Sequence, residues 1–197
     1  MGFIYCIMGK SASGKDTIYQ KLLQDASLGL KTVVPYTTRP IRDGETAGKT
    51  YHFCTEEEVD RLEAAGKIIE LRSYDTVYGI WKYFTADDGQ IDLDRADYAM
   101  IGTLESYLQI RAYFGPDRVI PIYIYVEDGE RLLRAIARER SQKKPKYEEM
   151  CRRFLADAAD FSEEKLMAAG IRDRFENRSL EDTVSQVAAY IGTRMSR

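Results

Sequence analysis

Gly9-Lys10-Ser11-Ala12-Ser13-Gly14-Lys15 spaces two glycines and a lysine as G-x-x-x-x-G-K. The chemistry open to such a segment is the holding of phosphate. Glycine lets the backbone curl until successive N–H groups point inward, a helix that follows adds its positive N-terminal end, and the lysine ammonium reaches the terminal phosphates. The next residue is Asp16, where this motif usually carries a hydroxyl that ligates magnesium, and Thr17 comes one place late. A carboxylate can ligate magnesium too, and it suits the first turn of a helix, but without the metal it repels phosphate. Asp16 is therefore the candidate metal ligand. A second cluster is Thr37-Thr38-Arg39-Pro40-Ile41-Arg42. Two arginines three apart among hydroxyls form a fork for a dianionic phosphate, or else a merely solvated charged loop.

Other chemistries lack their residues. His52 is the single histidine, and Cys6, Cys54 and Cys151 are far apart with no C-x-x-C pair. That excludes a zinc set and a disulfide framework and leaves a Ser-His-Asp triad unsupported. Free thiols suit a reducing cytoplasm. The apolar run Gly2–Met8 is too short for a signal peptide or a membrane span, so a cytoplasmic protein is expected.

The chain has 197 residues, 44% hydrophobic and 31% charged, with 29 Lys plus Arg against 32 Asp plus Glu and a formal charge of −3. This is globular composition, enough for one compact domain. The mildly acidic balance argues against a generic nucleic-acid or membrane-surface binder, so any anionic ligand must be held by local positive charge.

The elements that must position these residues alternate. Phe3–Met8 reads as a buried parallel strand, Gly9–Lys15 as a turn, and Ile18, Leu22 and Leu23 as one helix face. Thr32-Val33-Val34 reads as a second strand and Pro35–Thr50 as loop. Thr55 and Glu58 make a capping box for a helix to about Ala65. Lys67–Thr85 is β-prone, with turns expected at Asp75-Thr76 and Asp88-Gly89. Ala99–Ile101 is a short strand, Thr103 opens a helix to about Phe114, and Val119–Val126 is another strand. A basic helix covers about Glu130–Arg140, Ser141–Lys146 is a flexible tip, and helices run from Lys146 to about Ala158 and on to Ala169. Arg174–Asn177 is a possible edge strand, and Ser179 caps a final helix with Leu180, Val184, Val187 and Ile191 inward. Strands alternating with helices imply an α/β fold with a mostly parallel sheet.

Thr37–Glu45 followed by Tyr51-His52-Phe53 meets every fixed position of T-T-R-x-x-R-x-G-E and Y-x-F, and in this the chain resembles the guanylate kinases. The resemblance implies a P-loop three-layer core (about 1–34, 98–128 and 170–197), a small mixed-sheet monophosphate-binding region (about 35–97) and a helical lid (about 129–169). It implies ATP and magnesium, with Gly9 to Thr17 and Asn177 at ATP, Asn177 meeting the adenine. It gives Arg39, Arg42, Tyr51 and Tyr78 to the acceptor phosphate and Glu70 to the acceptor base. Arg138-Glu139-Arg140-Ser141 resembles the lid's R-x-R-G, and Arg152-Arg153 its basic pair, so Arg138, Arg152 and Arg153 join Lys15 around the transferring group.

The departures concentrate at the base. Pro35 and Ile80 stand where the family has hydroxyl residues, and Ile101-Gly102-Thr103 stands where it has D-I-D. With Glu70 left alone of that set, weaker base discrimination is expected, since hydrogen-bonding sites discriminate far better than apolar ones. The expected activity is ATP-dependent transfer to a nucleoside monophosphate, GMP by resemblance. The alternatives are a related kinase of a sugar phosphate, since Asp16 also resembles the loop of ribose bisphosphokinases, and a non-catalytic binding module. The oligomeric state stays open.

Overall fold

The computed structural model describes residues 2–42, 44–76 and 79–195. The N-terminal apolar run forms β1 (Ile4–Met8), buried at every residue. With β2 (Lys31–Thr32), β7 (Tyr98–Ile101), β8 (Val119–Tyr125) and β9 (Phe175–Glu176) it builds a five-stranded sheet in the order β2-β7-β1-β8-β9. Every pairing in this sheet is parallel. Side chains alternate across a strand. Ile4, Cys6 and Met8 therefore face α3 (Leu104–Phe114) and α6 (Glu163–Ala168), and Tyr5 and Ile7 face α1 (Lys15–Gln24) and α7 (Leu180–Met195). Ile7, Ile18, Leu22, Val187 and Ile191 are wholly buried in that second layer, each contributing about 1.5–3 kcal/mol. The result is the expected three-layer core.

A second sheet is mixed, in the order β4-β3-β6-β5, from β3 (Tyr36–Thr37), β4 (His52–Phe53), β5 (Ile68–Thr76) and β6 (Gly79–Ala86). β3 runs parallel to β4, and the other pairings are antiparallel. The register of the β5–β6 hairpin sorts its side chains. Glu70, Arg72 and Tyr74 share one face with Thr85, Tyr83 and Trp81; Leu71, Ser73 and Asp75 share the other with Phe84, Lys82 and Ile80. The second face is covered by α2 (Glu56–Ala64), through Val59 against Phe84 and Ala86. The sheet is tied to the core where Leu71 N donates to Gln109 Oε1 (3.1 Å) and Gln109 Nε2 donates to Leu71 O (3.4 Å).

A helical pair, α4 (Asp128–Arg140) and α5 (Tyr147–Asp160), makes the third part. Its connecting turn is tied by the buried Glu139 carboxylate, which accepts from Lys146 N (3.0 Å) and Gln142 Nε2 (3.2 Å).

Three local expectations shift. β2 ends at Thr32 rather than running through Val34, because Val34 N donates to the Gln90 side chain (2.8 Å) and leaves the ladder. The segment read as loop contains β3, which the rings of Phe84 (5.0 Å) and His52 (4.6 Å) hold at Tyr36. β5 continues through Asp75 and Thr76, the latter paired with Gly79, so the turn expected at those two residues is strand.

Candidate active site

The phosphate loop leaves β1 at Gly9 and enters α1 at Lys15. Ala12 (φ 63°) and Gly14 (φ 84°) take the left-handed conformation, the curl that turns backbone N–H groups into a concavity. Both glycines are closely approached. A Cβ on Gly9 would stand 2.5 Å from the Ile124 carbonyl oxygen, and one on Gly14 2.5 Å from Asn177 Nδ2. Asn177 Nδ2 donates to Ser13 O (2.8 Å), and its Oδ1 lies 3.4 Å from the Thr183 hydroxyl. Asn177, the residue expected at the adenine, is buried between β9 and α7 and braces the loop through its carboxamide. Ser13 Oγ is buried with no hydrogen-bond partner.

Lys15 Nζ lies 3.3 Å from Asp16 Oδ2, with the Asp16 side chain 73% exposed. Thr17 is exposed on α1. Among the described residues no group of three or more acidic, His or Cys side chains gathers to cage a metal ion. Magnesium suits this arrangement only as a partner of nucleotide phosphates with one carboxylate, the usual way it binds at such sites. Asp16, in the first turn of α1 beside Lys15, is a carboxylate that could serve there.

The helical pair closes on the loop through residues that the motif search overlooked. Arg131, 1% exposed, donates from Nε and Nη2 to Asp128 Oδ1 (3.0 and 2.9 Å) and from Nη1 to Ser11 O (2.9 Å). It also lies 3.6 Å from Asp157, with its guanidinium 4.5 Å above the Phe154 ring. Asp157 Oδ2 accepts from Ser11 N (2.6 Å), and Lys10 Nζ donates to Asp128 (3.2 Å). Burial works against a charged Asp128, but Arg131 and Lys10 outweigh it and hold its carboxyl below the usual range. The sequence signal is the spacing Arg131, Ala135, Glu139, which puts two charged residues on the buried stripe of α4.

Of the expected lid arginines, Arg153 reaches the loop, its Nη2 donating to Ser11 Oγ (3.2 Å). Arg152 does not; it is exposed and doubly bonded to Glu149 (2.7 Å each), one turn away. Arg138 is exposed too, 3.9 Å from Glu139. Neighbours on a helix point about 100° apart, which is why Arg153 meets Ser11 while Arg152 turns to Glu149 on the exposed side of α5.

On the acceptor side the expected fork is split. Arg39 is buried and forms a two-pronged pair with Glu45 (2.7 and 2.5 Å), with Nη1 also donating to Pro40 O (2.9 Å). Arg39 holds the Glu45 carboxyl down at about 2. The guanidinium lies 5.0 Å from the Tyr51 ring, which meets Tyr83 edge-on at 5.7 Å. Arg42 is exposed, its guanidinium 5.9 Å from the Trp81 ring, with its backbone N–H on Glu45 (2.9 Å). Tyr78 lies outside the described residues.

Glu70 is buried and already engaged. Arg72 Nε donates to its Oε2 (2.9 Å), and Arg72 Nη2 (3.2 Å) and Thr85 Oγ1 (3.0 Å) donate to its Oε1. Arg72 is the second residue that the sequence reading overlooked, although Glu70-x-Arg72 in a strand puts both side chains on one face. Ile80 does not line this pocket: the hairpin register turns it to the α2 face, where it is 60% exposed. Pro35 contributes its carbonyl, which accepts from His52 N (2.8 Å). Thr103 is spent on capping α3.

Comparison with known proteins supports the family resemblance. Residues 2–83 match the guanylate kinase family model. The guanylate kinase of Sus scrofa is 33% identical over 163 residues, covering 81% of this chain and 77% of the relative. The chain belongs to the guanylate kinase family. The guanylate kinase of Neisseria gonorrhoeae is 38% identical over 100 residues, 51% of this chain. That match spans 46% of the relative's length, and the match to Symbiobacterium thermophilum guanylate kinase spans 47%. This chain thus spans about half the length of several guanylate kinases that it matches. The fold agrees throughout: the crystal structure of guanylate kinase from Anaplasma phagocytophilum superposes with a TM-score of 0.64 at 23% identity, covering 100% of this chain and 87% of that one.

Proposed function

We propose that this protein transfers the γ-phosphoryl group of ATP to GMP, giving ADP and GDP. The observation that carries this reading is the phosphate loop itself: left-handed Ala12 and Gly14 curl the backbone between β1 and α1, with Lys15 at the helix entrance. A recognition module that never meets ATP has no use for that nest. Lys15 and the loop amides hold the β- and γ-phosphates, and Arg39, Arg42, Tyr51 and Tyr78 form the acceptor phosphate site. Arg153, with Arg138 and Arg152 when the helical pair moves, covers the transferring group and excludes water. Magnesium, held by Asp16 and the nucleotide phosphates, would neutralise charge on the transferring group. No general base is needed, since the acceptor phosphate oxygen is already a competent nucleophile, and positioning with charge neutralisation does most of the work. Among the described residues no helix is long and apolar enough to cross a membrane. The free thiols of Cys6, Cys54 and Cys151 support a reducing, cytoplasmic setting.

The test is ADP formation from ATP with and without GMP, for the wild type and Lys15→Ala. Loss of one such electrostatic stabiliser typically costs about 10²–10³ in rate. GMP-dependent ADP formation that falls by this much in the variant is the expected result. No GMP-dependent turnover, or near-normal turnover in Lys15→Ala, would refute it.

A further inference from the structure

We propose that Asp157, working with Arg131, is a positioning residue of the donor-nucleotide site: by gripping Ser11 the two hold the phosphate loop in its curled form before any nucleotide arrives. This rests on the reading of the loop as the ATP site. Ala12 is the one non-glycine residue with a positive φ among the described residues (63°). The left-handed region crowds a Cβ, so an alanine stays there only where its surroundings hold it. On its C-terminal side the hold comes from the loop and the core: Ser13 N donates to Lys10 O (3.2 Å), and Ser13 O accepts from Asn177 Nδ2 (2.8 Å). On its N-terminal side the hold comes from the helical pair. Ser11 N donates to Asp157 Oδ2 (2.6 Å), and Ser11 O accepts from Arg131 Nη1 (2.9 Å). The bond to Ser11 O orients the peptide that sets the φ of Ala12, and the bond from Ser11 N fixes the peptide before it.

The grip is enclosed. The Asp157 side chain is 18% exposed and that of Arg131 1%, and their charges lie 3.6 Å apart, so each offsets the other where water is scarce. Arg131 is itself pinned by Asp128 (2.9 Å), so the pair joins α4 to α5 at the same point where it holds the loop. Asp157 follows Arg153 by four residues on α5, a spacing that puts both on one helix face. That face delivers Arg153 Nη2 to Ser11 Oγ (3.2 Å), so every polar atom of Ser11 is in the hold of the helical pair. A bare carboxylate beside a phosphate site would repel the nucleotide. Here Arg131 faces the carboxylate and an amide takes its Oδ2, so it supports the curl instead. The helical pair is then part of the donor site in the resting protein, and not only a cover drawn over it at transfer.

Calorimetric titration separates support of the loop from packing alone. The protein is titrated with a non-hydrolysable ATP analogue and with GMP, well below its melting temperature. Asp157→Ala should weaken the analogue by about tenfold or more, the worth of a hydrogen bond to a charged group. GMP, whose proposed residues do not touch Ser11, should change by less than about twofold. Asp157→Asn keeps an oxygen for Ser11 N and should stay within about threefold of wild type. Adding Ala12→Gly to Asp157→Ala removes the Cβ that resists the left-handed turn and should recover about threefold or more in affinity. Unchanged analogue binding in Asp157→Ala, with only its melting temperature lowered, would reduce the pair to packing and overturn the proposal. Tighter binding would overturn it too, by making the carboxylate a competitor of phosphate, as would a failure of Ala12→Gly to recover any affinity. If the variants follow the expected pattern but wild type transfers nothing to GMP, the activity fails and the positioning role stands; wild type that binds no analogue defeats both.

Discussion

Arg131 is the side chain on which the phosphate loop, α4 and α5 converge, and its removal should be felt in stability and turnover together. Arg131→Met keeps much of the apolar stem over Phe154 and deletes the charge. It removes two bonds to Asp128, the bond to Ser11 O, and the 3.6 Å pair with Asp157. A hydrogen bond to a charged group is worth about 1.5–3 kcal/mol, and breaking a buried ion pair costs about 3–5 kcal/mol. Asp128 has a side chain 46% exposed and can take water instead, so the loss sits toward the lower end. Asp157 is more enclosed, and Ser11 O is left short of a donor. Together these give about 2–4 kcal/mol. A domain of this size loses about 2–4 °C of Tm per kcal/mol, so scanning calorimetry should show a drop of about 4–16 °C. Turnover measured well below both melting points should also fall, because a loop displaced by about 1 Å loses near 10²-fold in rate. Lys10→Met is the control: it deletes only the pair with half-exposed Asp128, worth under about 1 kcal/mol. A Tm for Arg131→Met within about 2 °C of wild type, with normal turnover, would refute the bracing role.

Acid should act through Glu45, whose carboxyl Arg39 holds down at about 2 from its ordinary 4.5. A depressed carboxyl contributes stability that is present above about pH 4.5 and is lost as pH falls toward 2, so stability curves of wild type and Glu45→Gln should converge across that window; curves that stay parallel would count against the pair. The helical pair should tighten when both nucleotides are bound: hydrogen exchange at 141–146 and at Ser11 should slow with ATP and GMP together, and unchanged exchange would mark a fixed arm.

Much of this molecule is written locally. The buried strand before the loop, the glycine spacing, the capping box at Thr55 and the helix start at Thr103 depend on neighbours within a few residues, and each is found where the sequence puts it. The three-layer core follows from alternation along β1, which divides its side chains between two helix layers whatever lies elsewhere in the chain.

What escaped was decided by register and by long-range contact. Ile80 stands in sequence where the base pocket is expected, after Tyr78-Gly79, but a strand exchanges faces with every residue, and the pairing of Asp75 with Ile80 puts that side chain on the face opposite Glu70, where it is exposed. Arg39 and Arg42 are close in sequence, but only the turn of Glu45 onto the first decides that Arg39 is buried while Arg42 stays exposed. Arg131 meets Ser11 across 120 residues of chain, and Asp157 meets it across 146. No local pattern encodes such a meeting, since it exists only once the parallel sheet has brought the loop at the end of β1 beside the start of α4. The sequence by itself determined that a phosphate nest is present and which strand and helix frame it. Which charged side chains close over that nest, and which face a base would meet, were decided by the tertiary structure, because strand pairing and helix packing select one face of each element from several that the residues alone permit.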